Sequence, residues 1–205
     1  MRENLARVLR LLLVTDDALV APGDLLRVAR EAVAGGVTAV QVRYKSLGDQ
    51  ALLDLTRTLV RELSVPVFVN DRVDVALAAG AAGVHLGADD LAPALARRIV
   101  PEGFVIGASV GSATEALRAA TADYWGIGPL RVTGTKADAG AALGVEGAAA
   151  LLALAEGRAA VAIGSVRPGD VADVLAAGFS GVAVASGILG ADAPRAAAER
   201  YRTAT

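Results

Sequence analysis

At 205 residues the chain is long enough to bury a real core and suits one domain, or at most two small ones. A net charge of −2 gives no reason to expect a nucleic-acid or anionic-membrane surface, and the absence of cysteine excludes disulfides and thiolate metal sites. Hydrophobic residues are 54% and charged ones 20%, a folded composition, and no apolar run approaches the roughly 20 residues of a membrane span.

In chain order, MRENLARVLRLLLVTDD comes first. Its short apolar run is followed at once by acids, without a small-residue cleavage pattern, and reads as a strand at 11–15, not as a secretory signal. A cytoplasmic protein is the expectation. Further strands are predicted at 38–43, 66–69, 83–86, 104–108, 124–128, 159–163 and 181–185, each rich in Val, Ile, Leu or Ala. Amphipathic stretches lie between them, near 23–35, 48–62, 72–79, 91–98, 112–120, 145–156, 168–177 and 192–202. Gly35-Gly36, Gly80 and Gly178 stand where left-handed C-caps are expected, and Asp24, Ser112 and Asp170 where helices begin. Continuous apolar strands alternating with helices imply a parallel sheet covered on both faces. Eight such units in one domain over 1–205 predict an α/β fold, a single (β/α)8 TIM barrel. An open doubly wound sheet would put a Gly-rich turn after the first strand, where this chain has Thr15-Asp16-Asp17.

A barrel concentrates its chemistry at the C-terminal strand ends, and the rare residues gather there. The chain has eighteen arginines but only Lys45, Lys136 and His85 of the other basic types, each beside a strand end. Gln41, Arg43 and Lys45 recur at period two, so they share one side of the second strand while Val42 and Tyr44 take the other. Two cations and an amide there suit an anion. Asn70-Asp71 follows the third strand and Asp89-Asp90 the fourth. Carboxylates on adjacent strand ends can share a hard cation such as Mg²⁺, and they serve equally well as caps for helices starting at Val73 and Leu91. The fifth strand runs out at Ser109-Val110-Gly111-Ser112. After the sixth comes a long Gly-, Thr- and Ala-rich loop whose Thr133, Thr135 and Lys136 suit closing over a phosphate. Gly164-Ser165 and Ser186-Gly187 end the last two strands, where backbone N–H groups bind phosphate in many barrels. His85 reads either as a hydrogen-bonded structural residue or as an inward-facing site residue.

In this order the motifs resemble the thiamine phosphate synthase family. They are Gln41-Val42-Arg43-Tyr44-Lys45, Val69-Asn70-Asp71, the stretch from Val84 to Asp90, Gly107-Ala108-Ser109, and the stretch from Gly128 to Lys136. The resemblance covers nearly the whole chain. It implies a transferase that condenses hydroxymethylpyrimidine diphosphate with thiazole phosphate, giving thiamine phosphate and diphosphate with Mg²⁺. By matching position, it implies that Asp71 and Asp90 hold the metal and that Arg43, Lys45, Asn70 and Lys136 meet the diphosphate. Ser109 would bond near the leaving group, and Gln41 and His85 would face the pyrimidine. Thr133, Thr135, Gly164, Ser186 and Gly187 would hold the thiazole phosphate. The partners implied are these small molecules, with no nucleic acid or membrane, and with room for a homo-oligomer.

The chain departs from the family pattern at four places. Tyr44 stands where an acid is usual and Gly111 where a histidine is usual. Leu130-Arg131-Val132 replaces a proline-containing stretch, and Ser165 replaces a glycine, where it either narrows the approach to the thiazole phosphate or adds a hydroxyl ligand. The related thiazole tautomerases use the histidine that Gly111 lacks as a proton shuttle. A non-catalytic paralogue that binds the same phosphorylated ligands is the other alternative.

Overall fold

The computed structural model describes residues 2–132 and 141–203. Eight parallel strands close on themselves in sequence order, β1 pairing with both β2 and β8. They are β1 (Leu11–Val14), β2 (Ala39–Val42), β3 (Val67–Asn70), β4 (Gly83–Leu86), β5 (Val105–Val110), β6 (Tyr124–Ile127), β7 (Ala159–Ala162) and β8 (Gly181–Val184). All lie within two residues of the predicted bounds. A closed barrel, not an open doubly wound sheet, is what these residues form.

Helices α1 (Arg2–Val8), α2 (Leu25–Ala34), α3 (Asp49–Glu62), α4 (Val73–Ala79) and α5 (Pro93–Ala96) belong to the first half. The second half has α6 (Ala113–Arg118), α7 (Gly144–Leu152), α8 (Val171–Ala176), α9 (Ser186–Leu189) and α10 (Pro194–Thr203). The spacing of apolar residues decides which helix face meets the sheet. In α2, Leu25, Val28, Ala29 and Ala32 form the buried stripe, and in α3 Leu52, Thr56 and Leu59 do. No helix among the described residues is long and apolar enough to cross a membrane.

Two apolar clusters result. One lies between sheet and helices, and the other fills the barrel interior with Leu12, Val14, Phe68, Tyr124 and Val161. Helix α1 is not anticipated by the sequence reading. Its Leu5 and Val8, followed by the fully buried Leu9, pack against the interior cluster and cover the N-terminal end of the barrel.

Local details sharpen the caps. Gly80 and Gly178 take left-handed conformations as expected, but Gly35 is right-handed at φ −82° and Gly36 makes the reversal at φ +113°. Ser112 caps α6 by accepting the Glu115 N–H at 3.2 Å. The capping roles considered for Asp71, Asp89 and Asp90 do not hold. Helix α5 starts only at Pro93 and α4 is capped by no side chain, so these carboxyls are not tied to helix ends.

Candidate active site

The C-terminal ends of the strands surround one cavity of about 620 Å³, within the size range of small-molecule sites. Gln41, Arg43 and Lys45 all line it, while Val42 and Tyr44 are buried on the opposite side of the strand. The departure at Tyr44 therefore lies outside the cavity. Its hydroxyl donates to the Val20 carbonyl at 2.6 Å, tying β2 to the β1–α2 connection, and burial pushes its pKa up to about 12. Gln41 Nε2 donates to Asn70 Oδ1 at 2.9 Å, so two amides on neighbouring strands orient each other at the cavity floor.

Arg43 is held more firmly than its neighbour. Its Nη1 donates to Asp16 Oδ2 at 2.9 Å, and its backbone N–H donates to Thr15 Oγ1 at 2.8 Å. Lys45 is more exposed, with Nζ 3.7 Å from Asp71 Oδ2. Asp71 follows β3 with φ +66°, a left-handed conformation that a non-glycine residue keeps only under surrounding constraint. Its N–H donates to the His85 carbonyl at 2.8 Å, which fixes that turn to β4. The Asp71 carboxyl lies beside that of Asp90, whose Oδ2 accepts the Gly87 N–H at 2.6 Å. Burial first, and then the nearby Asp90, push the Asp71 pKa up to about 6 against the pull of Lys45 and Arg43.

No group of three or more His, Asp or Glu side chains suited to a metal converges among the described residues. The Asp71–Asp90 pair still fits a hard cation. Two carboxyls meet at the cavity edge with oxygen donors alone, and Mg²⁺ takes one or two carboxylates, completing its shell with water and phosphate oxygens.

His85 faces inward. Its Nε2 lies 3.1 Å from Ser109 Oγ and its Nδ1 lies 3.0 Å from the Tyr124 hydroxyl. Full burial raises the Tyr124 pKa well above its usual value, so the phenol keeps its proton. In the sheet register Gly107 pairs with both His85 and Tyr124. A Cβ on Gly107 would stand 2.2 Å from Tyr124 Cζ, so the glycine is the gap through which the phenol reaches the imidazole.

Beyond β5, Gly111 lines the cavity and donates its N–H to Glu115 Oε2 at 2.5 Å. A Cβ there would come to 3.0 Å from the Gly128 carbonyl, so a larger side chain has little room in this backbone. On the far side, Gly164, Ser165, Ser186 and Gly187 line the wall. Ser165 sits at φ +51° and donates its hydroxyl to the Val132 carbonyl at 3.1 Å. Arg131 donates to the Ser165 carbonyl at 3.2 Å and forms a bidentate pair with Asp170 at 2.5 and 2.6 Å. Two departures from the family pattern thus meet in space. Thr133, Thr135 and Lys136 lie outside the described residues.

Sequence reasoning missed Asp16 and Tyr124 as neighbours of the site. An acid directly after an apolar strand, at the catalytic end of a barrel, is the signal that points to Asp16. Nothing in the apolar context of Tyr124 distinguishes it from a core residue.

A closed β/α barrel whose strand ends gather cations, amides and paired carboxyls around one cavity is an enzyme fold with its site in the usual place. Residues 11–188 match the family model described as thiamine monophosphate synthase. The chain is 46% identical over 203 residues to a thiamine-phosphate synthase of Azorhizobium caulinodans, covering 95% of this chain and 94% of that one. It is also 46% identical over 202 residues to one of Methanoculleus marisnigri, covering 94% and 93%. The solved structure of a thiamine phosphate pyrophosphorylase from Pyrococcus furiosus superposes with a TM-score of 0.86 at 37% identity, covering 98% and 97%. The chain belongs to the thiamine monophosphate synthase family, and it is a transferase.

Proposed function

We propose that the protein joins hydroxymethylpyrimidine diphosphate to thiazole phosphate, releasing diphosphate, with Mg²⁺ bound by Asp71 and Asp90. The observation that carries this reading is the convergence of Gln41, Arg43, Lys45, Asn70, Asp71 and Asp90 on one cavity, opposite Gly164, Ser165, Ser186 and Gly187. Cations and paired carboxyls on one wall suit a metal-bound diphosphate. Small residues on the other leave backbone N–H groups open to a second phosphate.

In the reaction the bond between the pyrimidine methylene carbon and the diphosphate oxygen breaks, and its electron pair leaves with diphosphate. The thiazole ring nitrogen then supplies the pair for the new C–N bond, so no protein nucleophile is needed. Asp71 and Asp90 would hold Mg²⁺, which would supply neutralisation of the charge growing on the leaving diphosphate. Arg43, Lys45, Asn70 and Lys136 contact its oxygens and add to that electrostatic stabilisation. Gln41, oriented by Asn70, faces the pyrimidine and holds its plane. A protonated Tyr124 donating to His85 Nδ1 makes Nε2 the N–H that points at Ser109, and Ser109 is then left to donate toward the leaving group. Thr133, Thr135, Gly164, Ser165, Ser186 and Gly187 hold the thiazole phosphate and bring its nitrogen in line, the positioning part of the catalysis. Such charged, phosphorylated substrates do not cross membranes unaided, which supports a cytoplasmic setting.

The test is turnover of the purified protein with both substrates and Mg²⁺, following thiamine phosphate by its oxidised fluorescence. Metal-dependent product is expected. Binding of both ligands without product would select the non-catalytic alternative. Tautomerase chemistry is disfavoured by the turn at Gly111, where no imidazole stands and little space is left for one.

A further inference from the structure

Thr15-Asp16-Asp17 follows β1 directly, and each of its side chains bonds to the segment carrying Arg43 and Lys45. Thr15 Oγ1 accepts the Arg43 N–H at 2.8 Å, and Asp17 Oδ2 accepts the Ser46 N–H at 2.7 Å. Between these backbone ties, Asp16 Oδ2 accepts from the Arg43 guanidinium at 2.9 Å. Asp16 is only 4% exposed, and its second oxygen accepts the Ala18 N–H at 2.9 Å.

A buried carboxylate beside an anion-binding arginine is costly twice over. It loses hydration, which the ion pair and the Ala18 bond offset. It also subtracts charge from a wall that should attract a diphosphate. A gain in geometry accounts for both costs. The guanidinium is a rigid planar fork, so fixing one nitrogen on an immobile carboxylate, with the backbone clamped at Arg43 and Ser46, sets the direction of the remaining donors. Lys45 is paired more loosely, its Nζ 3.7 Å from Asp71 Oδ2, and it is a point charge on an exposed side chain.

We propose that Asp16 is a positioning residue that holds the Arg43 guanidinium in the orientation that receives the diphosphate. The proposal rests on the reading of Arg43 as a diphosphate contact. A simple charge-offset role and the brace give opposite signs. Asp16→Asn keeps size and the Ala18 acceptor while removing charge, so it tightens diphosphate binding if charge alone matters and weakens it if orientation does.

The experiment measures binding of inorganic diphosphate with MgCl₂ by calorimetry for the full chain, Asp16→Asn, Arg43→Ala and the double variant, together with KM for each substrate. Asp16→Asn is expected to weaken diphosphate about 10- to 100-fold, the range seen when groups orienting a first contact are removed. It is expected to raise KM for the pyrimidine diphosphate while leaving that for thiazole phosphate unchanged, and to add nothing once Arg43 is gone. Should Asp16→Asn fail to fold, Asp16→Glu keeps the charge but displaces the fork, and the same loss is expected. Equal or tighter binding by the folded variant, or an equal loss on the Arg43→Ala background, would overturn the proposal while leaving the function intact. Arg43→Ala binding diphosphate like the parent would sink the Arg43 assignment and the proposal with it.

Discussion

The Tyr124 hydroxyl reaches His85 Nδ1 at 3.0 Å over β5, where Gly107 stands in register with both residues. The contact depends on Gly107 having no side chain. Gly107→Ala is therefore expected to destabilise the fold by about 1–3 kcal/mol through overpacking against the Tyr124 ring, measured by urea denaturation. Tyr124→Phe should cost about 1–2 kcal/mol for the buried partner left behind. If the phenol sets the imidazole tautomer, kcat falls further than KM changes. A normal kcat would reduce Tyr124 to a packing residue.

At the proposed metal site the closeness of Asp71 and Asp90 makes Mg²⁺ compete with a proton. Asp71 has its pKa raised from 3.8 to about 6, so the folded protein holds a proton that the unfolded chain has lost. The stability from this group is present below 3.8 and is lost as pH rises toward about 6. Metal follows the opposite course. Apparent Mg²⁺ affinity should be flat above about 6 and fall below it by up to about tenfold per pH unit. Titrating Mg²⁺ at several pH values checks this, and Asp90→Asn should raise the metal requirement and shift that break downward. An unchanged titration in the variant would remove Asp90 from the metal site.

Ser165 and Arg131 fasten the start of the long β6–α7 connection to the loop after β7. In Ser165→Gly the left-handed strain is relieved while the bond to Val132 is lost, so stability should move by less than about 1 kcal/mol. Asp170→Asn, by contrast, weakens the bidentate hold on Arg131 and should raise KM for thiazole phosphate several-fold, leaving the pyrimidine diphosphate KM in place. Steady-state kinetics with each substrate varied in turn distinguishes the two.

Lys136 rests on its place in the motif alone. Lys136→Ala is expected to lower kcat about 10²- to 10³-fold, the usual loss for one electrostatic donor to a developing charge. The thermal midpoint should stay unchanged, and an unaltered rate would remove this lysine from the chemistry.

The barrel was legible because the strands are short, mainly apolar runs that give way to polar residues, as at Leu11–Val14 and Val67–Asn70. The period of two placed Gln41, Arg43 and Lys45 together and sent Tyr44 outward, and the cavity lining agrees. Helix α1 escaped because two turns give too few residues to show a period, and its stability comes from Leu5, Val8 and Leu9 meeting the barrel floor. The four-residue α9 is shorter still. The approach of Asp90 to Asp71 could not be read from the loop at 87–92, which has no periodicity. Its geometry comes from the Gly87 N–H on the Asp90 carboxylate, a contact made only when the chain turns back on itself. The link from Asp16 to Arg43 joins residues 27 apart through strand pairing, so it appears only once β1 and β2 are side by side.

Because Leu9 and the neck of α1 stopper the bottom of the barrel and Leu12, Phe68 and Tyr124 fill its middle, the described residues give the reaction vessel a floor. Among the described residues, what enters over the strand ends leaves the same way. On the proposed reaction the product leaves by the path the next substrate takes, so release at that rim is expected to compete with entry.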